Sequence, residues 1–575
     1  MIRTYKLSPF ATFVESQLIP AVTQTAVFHR LTGALIEPDS SLRQFLQALK
    51  NGVPLSLDLE HLAQFGESGH QVRKLIELAL LIPEHCDPLA SFVDHYVNQP
   101  LQNPALSYQN EKGEFSVVSI SMAEQLHSPE FGKLPTVNEE KFSALATNIV
   151  RAADGTKTLR QICAAYQSES AAHQYDREFR EAIEFLTKPE RQLIKFAPAI
   201  EGFANPFYPA NLVPRNLYHG SRWTASKTAK SIGDFHVEGI DDAAWEFDII
   251  EPTVNHGLRF PSQLLAGLNY GMRFCDAVLA DGFPGKTSIE VLEIGGGTGS
   301  FARSFIQRAR AQGKSFTYQI MDLSPTLSEN QRRLLGDIDP PVGHINQDAV
   351  RFDLPGRKFD LVVLNEVIAD FPVAAVERQQ TNDMGAQFKG AGATFVEKYA
   401  LVVDDAPDRF CVNSGVFEFL ERVWPCLDPG ALLILSEYGS ESRYPVESFH
   451  LNHSEFSIHF GHVSQCARKI GFDCRLRTLT EFLGIDDRVR VLCGREEHIL
   501  CLNYVFEKYS QTMPFALYSE VDFKAQFGEL ASRLKLQPVR FQPLGSNFHY
   551  GPNLGDFFVL VLKKPANEES ITAEM

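Results

Sequence analysis

One segment constrains this chain more than any other. Residues 288–299 read Ser-Ile-Glu-Val-Leu-Glu-Ile-Gly-Gly-Gly-Thr-Gly, an apolar, β-branched run that ends in four glycines. A helical pattern follows at once, with Phe301, Phe305, Ile306 and Ala309 on one face. A strand that turns into a helix through glycines presents the unpaired N–H groups of the first helical turn. It also lets a ligand approach the backbone closely, because glycine accepts positive φ and has no Cβ. The dinucleotide form of such a loop, G-x-G-x-x-G, would need glycine at position 300, which is Ser300. The form present is Glu293-x-Gly295-x-Gly297-x-Gly299. A carboxyl group beside the loop suits a cationic ligand better than a pyrophosphate.

Further strand candidates recur at Phe316–Met321, His344–Gln347, Phe359–Leu364, Leu432–Ser436, Phe472–Arg477 and Phe557–Leu562. Helical stretches separate many of them, which predicts an α/β domain with a largely parallel sheet. In such folds an acid about 20 residues beyond the loop accepts hydrogen bonds from the ribose hydroxyls. Tyr318-Gln-Ile-Met-Asp322 places Asp322 there. The third strand leads to Asp348, positioned for an adenine amino group, and the fourth runs directly into Asn365 and Glu366. Ligands of open α/β sheets lie beyond the carboxyl ends of the strands, so these two residues are expected to face the ligand.

The glycine loop has the form typical of class I S-adenosylmethionine-dependent methyltransferases. Together with Tyr318–Leu335, Asn365–Pro372, Leu433–Gly439, Ser454–Phe460 and Glu481–Gly484, it resembles the MidA-type methyltransferases over roughly residues 230–565. The family's Gly-Pro-Gly is Gly295-Gly296-Gly297 here, its acid after Asn-Glu is replaced by Ala369 with Asp370 next, and the acid after its histidine is Gly461. The resemblance implies a Rossmann-like domain with a mostly parallel seven-stranded sheet and S-adenosyl-L-methionine as cofactor. Glu293, Gly295, Gly297, Gly299, Asp322, Asp348 and Asn365 are the expected cofactor contacts. Methyl transfer is an in-line displacement that needs an aligned, deprotonated nucleophile. Glu366, Asp370 and His459 are the candidate catalytic residues, with Glu437 and Tyr438 lining the acceptor side. His450, His453, His459 and His462 cluster without a carboxylate at ligand spacing, so no metal site is expected.

The remaining chain is read as a helical or winged-helix-like domain over 1–105, a second small winged-helix-like domain over 106–200, a linker and helical lead-in over 201–280, and the methyltransferase domain over 281–565. Residues 371–425 read as an acceptor-side insertion, with a mobile stretch over 378–392. The phrase Asp154-Gly155-Thr156-Lys157-Thr158-Leu159 resembles PqqD-like winged-helix domains, which hold leader peptides. Against 54 basic residues stand 71 acidic ones, a net charge of −17 that disfavours nucleic-acid and anionic-membrane partners. No apolar run reaches membrane-spanning length, and the nine scattered cysteines lack C-x-x-C spacing, which together suggest a cytoplasmic protein with reduced thiols. A protein or peptide acceptor held by the N-terminal domains is the leading expectation. A small-metabolite acceptor and a non-catalytic methyltransferase-like module are the alternatives, and oligomeric state stays open.

Overall fold

The structure, a computed structural model, describes residues 2–19, 22–32, 35–36, 40–51, 55–58, 72, 75–76, 80–85, 89, 92–98, 105–120, 137–166, 172–188, 193–197, 253–282, 286–380, 386–450, 453–493, 496–545 and 554–566. Two compact units account for the chain. One comprises Met1–Lys227, Cys493–Pro514 and Lys524–Arg540, the other Thr228–Leu492, Phe515–Phe523 and Phe541–Met575.

The second unit is built on seven main strands: β1 (Ser288–Ile294), β2 (Ser315–Met321), β3 (Gly343–Ile345), β4 (Phe359–Asn365), β5 (Leu427–Ser440), β6 (Asp473–Thr478) and β7 (Phe557–Lys563). Their order is β3-β2-β1-β4-β5-β7-β6, and the pair Ile458–His459 adds an eighth short strand beside the end of β5. Only β7 runs antiparallel to its neighbours on this path. This is the class I Rossmann-like arrangement, and the strand order reverses between β1 and β4.

The central strands alternate between two cores. Leu292, Val362 and Leu364 pack on one face, Val291, Leu361 and Val363 on the other. Helices α2 (Tyr270–Gly282) and α3 (Ser300–Ala311) cover the second face through Phe274 and Phe305. Helices α5 (Ser414–Val423) and α6 (Phe460–Ile470) cover the first through Phe417 and Phe460. Burial on both faces explains why the sequence of β4 is almost wholly apolar. The short helix α1 (Val254–Gly257) precedes α2, and α4 (Pro325–Leu335) follows β2.

Two expectations are corrected here. Of the stretch 378–392, read as mobile, residues 381–385 lie outside the described residues, while the parts on either side contribute to an antiparallel sheet formed by Ala374–Gln380, Ala386–Lys389 and Arg409–Val412. Its glycines mark close packing: a Cβ at Gly390 would lie 2.5 Å from the Ala375 carbonyl oxygen, and one at Gly392 2.8 Å from that of Ala374. The lead-in is not separate from the methyltransferase domain either, because Tyr270, Phe274 and Val278 are part of its core.

The first unit departs further from the sequence reading. Among the described residues of 1–105 helix does not predominate: Ser40–Lys50 is a helix, but Ile2–Leu7, Ala11–Ile19, Val22–His29, Leu55–Asp58, Leu81–Pro83 and Tyr96–Asn98 are strands. Within residues 106–140, a stretch whose turn signals suit a linker with one short strand pair, the described residues supply most of a sheet of Ala105–Gln109, Phe115–Ile120 and Val137–Glu140. Two helices follow Thr158, Leu159–Tyr166 and Ala172–Leu186. The Thr158 hydroxyl accepts from the Gln161 N–H at 3.3 Å. The strand Tyr96–Asn98 pairs with both Asp154–Thr158 and Lys195–Ala197, so the two proposed N-terminal domains share a sheet. The helix Glu496–Glu507 also belongs to this unit, where the Tyr504 hydroxyl donates to Glu139 and Arg540 donates to the Ala153 carbonyl. Those segments interrupt the span 281–565 that the sequence assigned to one domain.

Candidate active site

The glycine loop takes the backbone shape its sequence demands. Gly295, Gly297 and Gly299 have φ of +69°, +50° and +88°, and Gly299 immediately precedes the first turn of α3. The Gly295 N–H donates to the Met321 carbonyl at 2.9 Å, tying the loop to the end of β2. At Gly296 a Cβ would meet Ile320 at 2.6 Å, whereas at Gly297 it would meet nothing within 4 Å. The loop is packed beneath and open above, the arrangement a ligand lying on its backbone requires.

Asp322 follows β2 and is buried. Its Oδ1 accepts from the Ser324 N–H at 2.9 Å, and Ser324 in turn caps α4. Its Oδ2 accepts from Gln331 Nε2 at 2.8 Å, and the same Nε2 donates to the Gly297 carbonyl at 2.9 Å. Gln331 therefore holds the acid and the loop in one frame. Asp348 is held differently: Oδ1 accepts from the Val350 N–H at 2.8 Å in a tight turn, and Arg351 lies 3.9 Å away.

Glu293 lies buried at the end of β1 and accepts from the Tyr318 hydroxyl at 3.0 Å. Burial pushes its carboxyl up to about 8, with the charge of Asp322 adding to the rise and Tyr318 opposing it. At pH 7 the group is mostly protonated, and a cation arriving beside it would draw that proton off. Titration calorimetry at pH 7 in buffers of different ionisation enthalpy is expected to show release of up to one proton per S-adenosylmethionine bound. Glu293→Gln should abolish that release, and buffer-independent heats in the unaltered protein would remove Glu293 as a cation partner. The same shift lowers stability as pH rises from the ordinary carboxyl value of 4.5 to about 8, because the folded state holds the proton more tightly.

At the carboxyl ends of β4 and β5 a second group assembles. The Tyr270 hydroxyl, fully buried, donates to Asn365 Oδ1 at 2.7 Å, and Asn365 Nδ2 donates to Glu366 Oε1 at 3.2 Å. Glu366 has φ of +55°, an unusual conformation for a residue with a side chain. Its Oε2 accepts from the Val254 N–H at 2.7 Å and Oε1 from the Asn255 N–H at 3.2 Å. Burial raises this carboxyl to about 7 against the lowering effect of those N–H donors. Glu437 is also buried and accepts from the Tyr438 N–H at 2.9 Å and the Ala369 N–H at 3.3 Å. Burial holds its carboxyl well above the usual range, and Glu366 and Glu455 raise it further. Asp370 ends the short turn Ile368–Asp370 that follows β4. Tyr438 is half-exposed against Phe557.

His459 belongs to another cluster. Its N–H donates to Asn413 Oδ1 at 3.0 Å, and its Nδ1 accepts from the His462 N–H at 3.2 Å, capping α6. Its ring stacks on that of His462 with centroids 3.7 Å apart, and Tyr444 meets both edge-on. Burial and the neighbouring His462 lower His459 to about 4, so it is neutral at pH 7. Its ring bonds hold local structure, and no bond joins it to Glu366 or Asn365. Among the described residues no group of three or more His, Cys, Asp or Glu side chains could hold a metal. His450 and His453 pair across a short hairpin, and their side chains lie outside the description.

Sequence reasoning passed over Tyr270 and Val254–Asn255 and assigned no role to Gln331 or Glu455. Thr253 before Val254 is an N-cap signal that would have marked the short helix, and its Oγ1 does accept from the His256 N–H at 3.0 Å.

An open glycine loop at the strand-order reversal, with an anchored acid one strand away, fits S-adenosylmethionine and defines a class I methyltransferase domain. Residues 271–450 match the model of the family described as "Putative S-adenosyl-L-methionine-dependent methyltransferase". The match spans the glycine loop, Asp322 and Asn365–Pro372, in agreement with the MidA-type resemblance. No curated protein shows significant similarity to the chain. Among solved structures, partial likeness extends to a Burkholderia thailandensis protein bound to S-adenosyl-homocysteine, at 16% identity over 55% of this chain and 79% of that one, TM-score 0.31. An uncharacterized protein of the same organism aligns at 16% identity over 60% and 94%, TM-score 0.32. The phosphoethanolamine N-methyltransferase 2 of Haemonchus contortus aligns at 15% identity over 57% and 61%, TM-score 0.28. The assignment rests on the family match and the site. Among the described residues no helix is long and apolar enough to cross a membrane, and the eight cysteines among them are free thiols.

Proposed function

We propose that the enzyme methylates a nitrogen on a protein or peptide side chain. The observation that supports this reading is the gathering of Glu366, Glu437 and Glu455 near the carboxyl ends of β4 and β5, where Glu455 raises the proton affinity of both others and Glu366 raises that of Glu437. Neither Glu366 nor Glu437 has a cationic partner among the described residues. An amino or guanidino group is the chemistry that would relieve this mutual repulsion. Bound S-adenosylmethionine supplies an electrophilic methyl group, and the nucleophile must lose a proton during or before attack. A buried carboxylate with a raised pKa accepts that proton readily. Asp370 stands on the same rim as a second acceptor-side acid. Asp348 and Asn365 complete the proposed cofactor contacts, and the N-terminal unit is the proposed holder of the polypeptide.

Incubating the protein with radiolabelled S-adenosylmethionine and extract of its own cells tests the reading. Label is expected in the protein or peptide fraction, reduced at least tenfold by Glu437→Gln with cofactor affinity kept. Label confined to small molecules would replace this reading with a metabolite methyltransferase. Deleting residues 1–197 is a poor substitute for that test, since the same unit incorporates Cys493–Pro514 and Lys524–Arg540.

A further inference from the structure

The residues just before the methyltransferase sheet form a strap between its two halves. Asn255 Nδ2 donates to Ser300 Oγ at 3.1 Å, at the first residue of the helix that leaves the glycine loop. The Val254 and Asn255 N–H groups reach the Glu366 carboxylate beyond the end of β4. Each end of the segment is anchored. Val254 and Leu258 are buried in the core beside α2, the Gly257 carbonyl accepts from the Leu517 N–H at 2.7 Å, and the Leu258 carbonyl accepts from the Tyr270 N–H at 2.9 Å. β1 and β4 are neighbours at the point where the strand order reverses, and ligands of open α/β sheets enter the crevice there. The strap joins the two sides of that crevice.

We infer that residues 253–258 close the methyl-donor crevice and that Glu366 is a positioning residue, the latch that holds them closed. Tyr270 acts behind it: its bond to Asn365 Oδ1 turns the Asn365 amide so that Nδ2 points at Glu366. The strained φ of Glu366 then has a purpose, since it directs a side chain at the end of β4 back toward the strap. This role differs from that of a base acting on the acceptor: the Glu366 oxygens accept from three N–H donors, those of Val254, Asn255 and the Asn365 amide. The inference rests on the methyltransferase assignment only for where the crevice lies.

Amide hydrogen exchange on the full chain and stopped-flow displacement of S-adenosylhomocysteine test it together. Glu366→Gln is expected to remove exchange protection from residues 254–256 selectively, and to speed S-adenosylhomocysteine dissociation about tenfold, the order expected for losing charge-assisted bonds. The KM for S-adenosylmethionine should rise more than kcat falls. Two variants reach the strap from its own side. Val254→Pro deletes one N–H at a first helical position, and Thr253, with φ −66° and ψ 158°, already has the conformation proline requires before it. Asn255→Ala cuts the link to Ser300. Both should speed dissociation with Glu366 intact, and they decide the matter should Glu366→Gln fail to fold. The inference is overturned if all folded variants keep protection at 254–256 and an unchanged dissociation rate, whatever happens to kcat. Absence of S-adenosylhomocysteine binding by the unaltered protein would instead overturn the cofactor assignment, leaving the exchange result to judge the strap.

Discussion

Asp322→Ala is expected to weaken S-adenosylmethionine binding about 100-fold, close to 2.7 kcal/mol, while the protein stays folded. The expectation comes from what the carboxylate does on each side. Toward the protein it accepts from the Ser324 N–H and from Gln331, which also grips the Gly297 carbonyl. Toward the crevice it is the only acid at the end of β2, where the ribose hydroxyls of the cofactor would donate. Alanine removes the charged acceptor and leaves Gln331 holding the loop alone. Asp322→Asn keeps the shape and one acceptor oxygen, so its loss should be smaller, about tenfold. Calorimetry of both variants is the check. Equal affinity for Asp322→Ala and the unaltered protein would exclude the ribose role.

Gly295→Ala is expected to be the most damaging single change in the loop, lowering cofactor affinity beyond measurement in calorimetry and reducing thermal stability by several degrees. Two costs add. The backbone at φ +69° disfavours any side chain by roughly 1–2 kcal/mol. The new Cβ would also lie 2.5 Å from Val367 Cγ2 and 2.8 Å from Val367 Cβ. Val367 follows Glu366, so moving it disturbs the exit of β4 as well as the loop. Adding Val367→Ala separates the two costs: it should restore part of the stability by relieving the clash, while the backbone cost persists. No rescue would show that the conformational cost dominates. Gly297→Ala offers a contrast, since its Cβ would meet no protein atom and should chiefly obstruct the ligand.

Much of the site was legible because its chemistry is local. A β-branched run, glycines at three positive-φ positions and an N-capping Ser324 after Asp322 each specify their own turn, and the spacing between them follows from one β-α-β unit. The same holds for the apolar β4 that ends at Asn365. The first 105 residues failed for the complementary reason. Several of their strands are short and pair with partners far along the chain, as when Tyr96–Asn98 joins both Asp154–Thr158 and Lys195–Ala197, although Ala11–Ile19 and Val22–His29 form a local hairpin. A few helix-spaced apolar residues there outweighed a weak two-residue alternation.

The amino-acid sequence by itself determined the methyltransferase fold, the cofactor, the glycine loop and Asp322 after the next strand, because hydrogen bonds and backbone preferences within a few residues suffice for each. Only the tertiary structure decided that Glu366 is bonded to backbone 112 positions earlier, that the His459 N–H donates to Asn413, and that Cys493–Pro514 and Lys524–Arg540 complete the N-terminal unit. Those outcomes depend on which distant surfaces bury each other. Burial is nondirectional and leaves no fixed spacing along the chain from which a partner could be read.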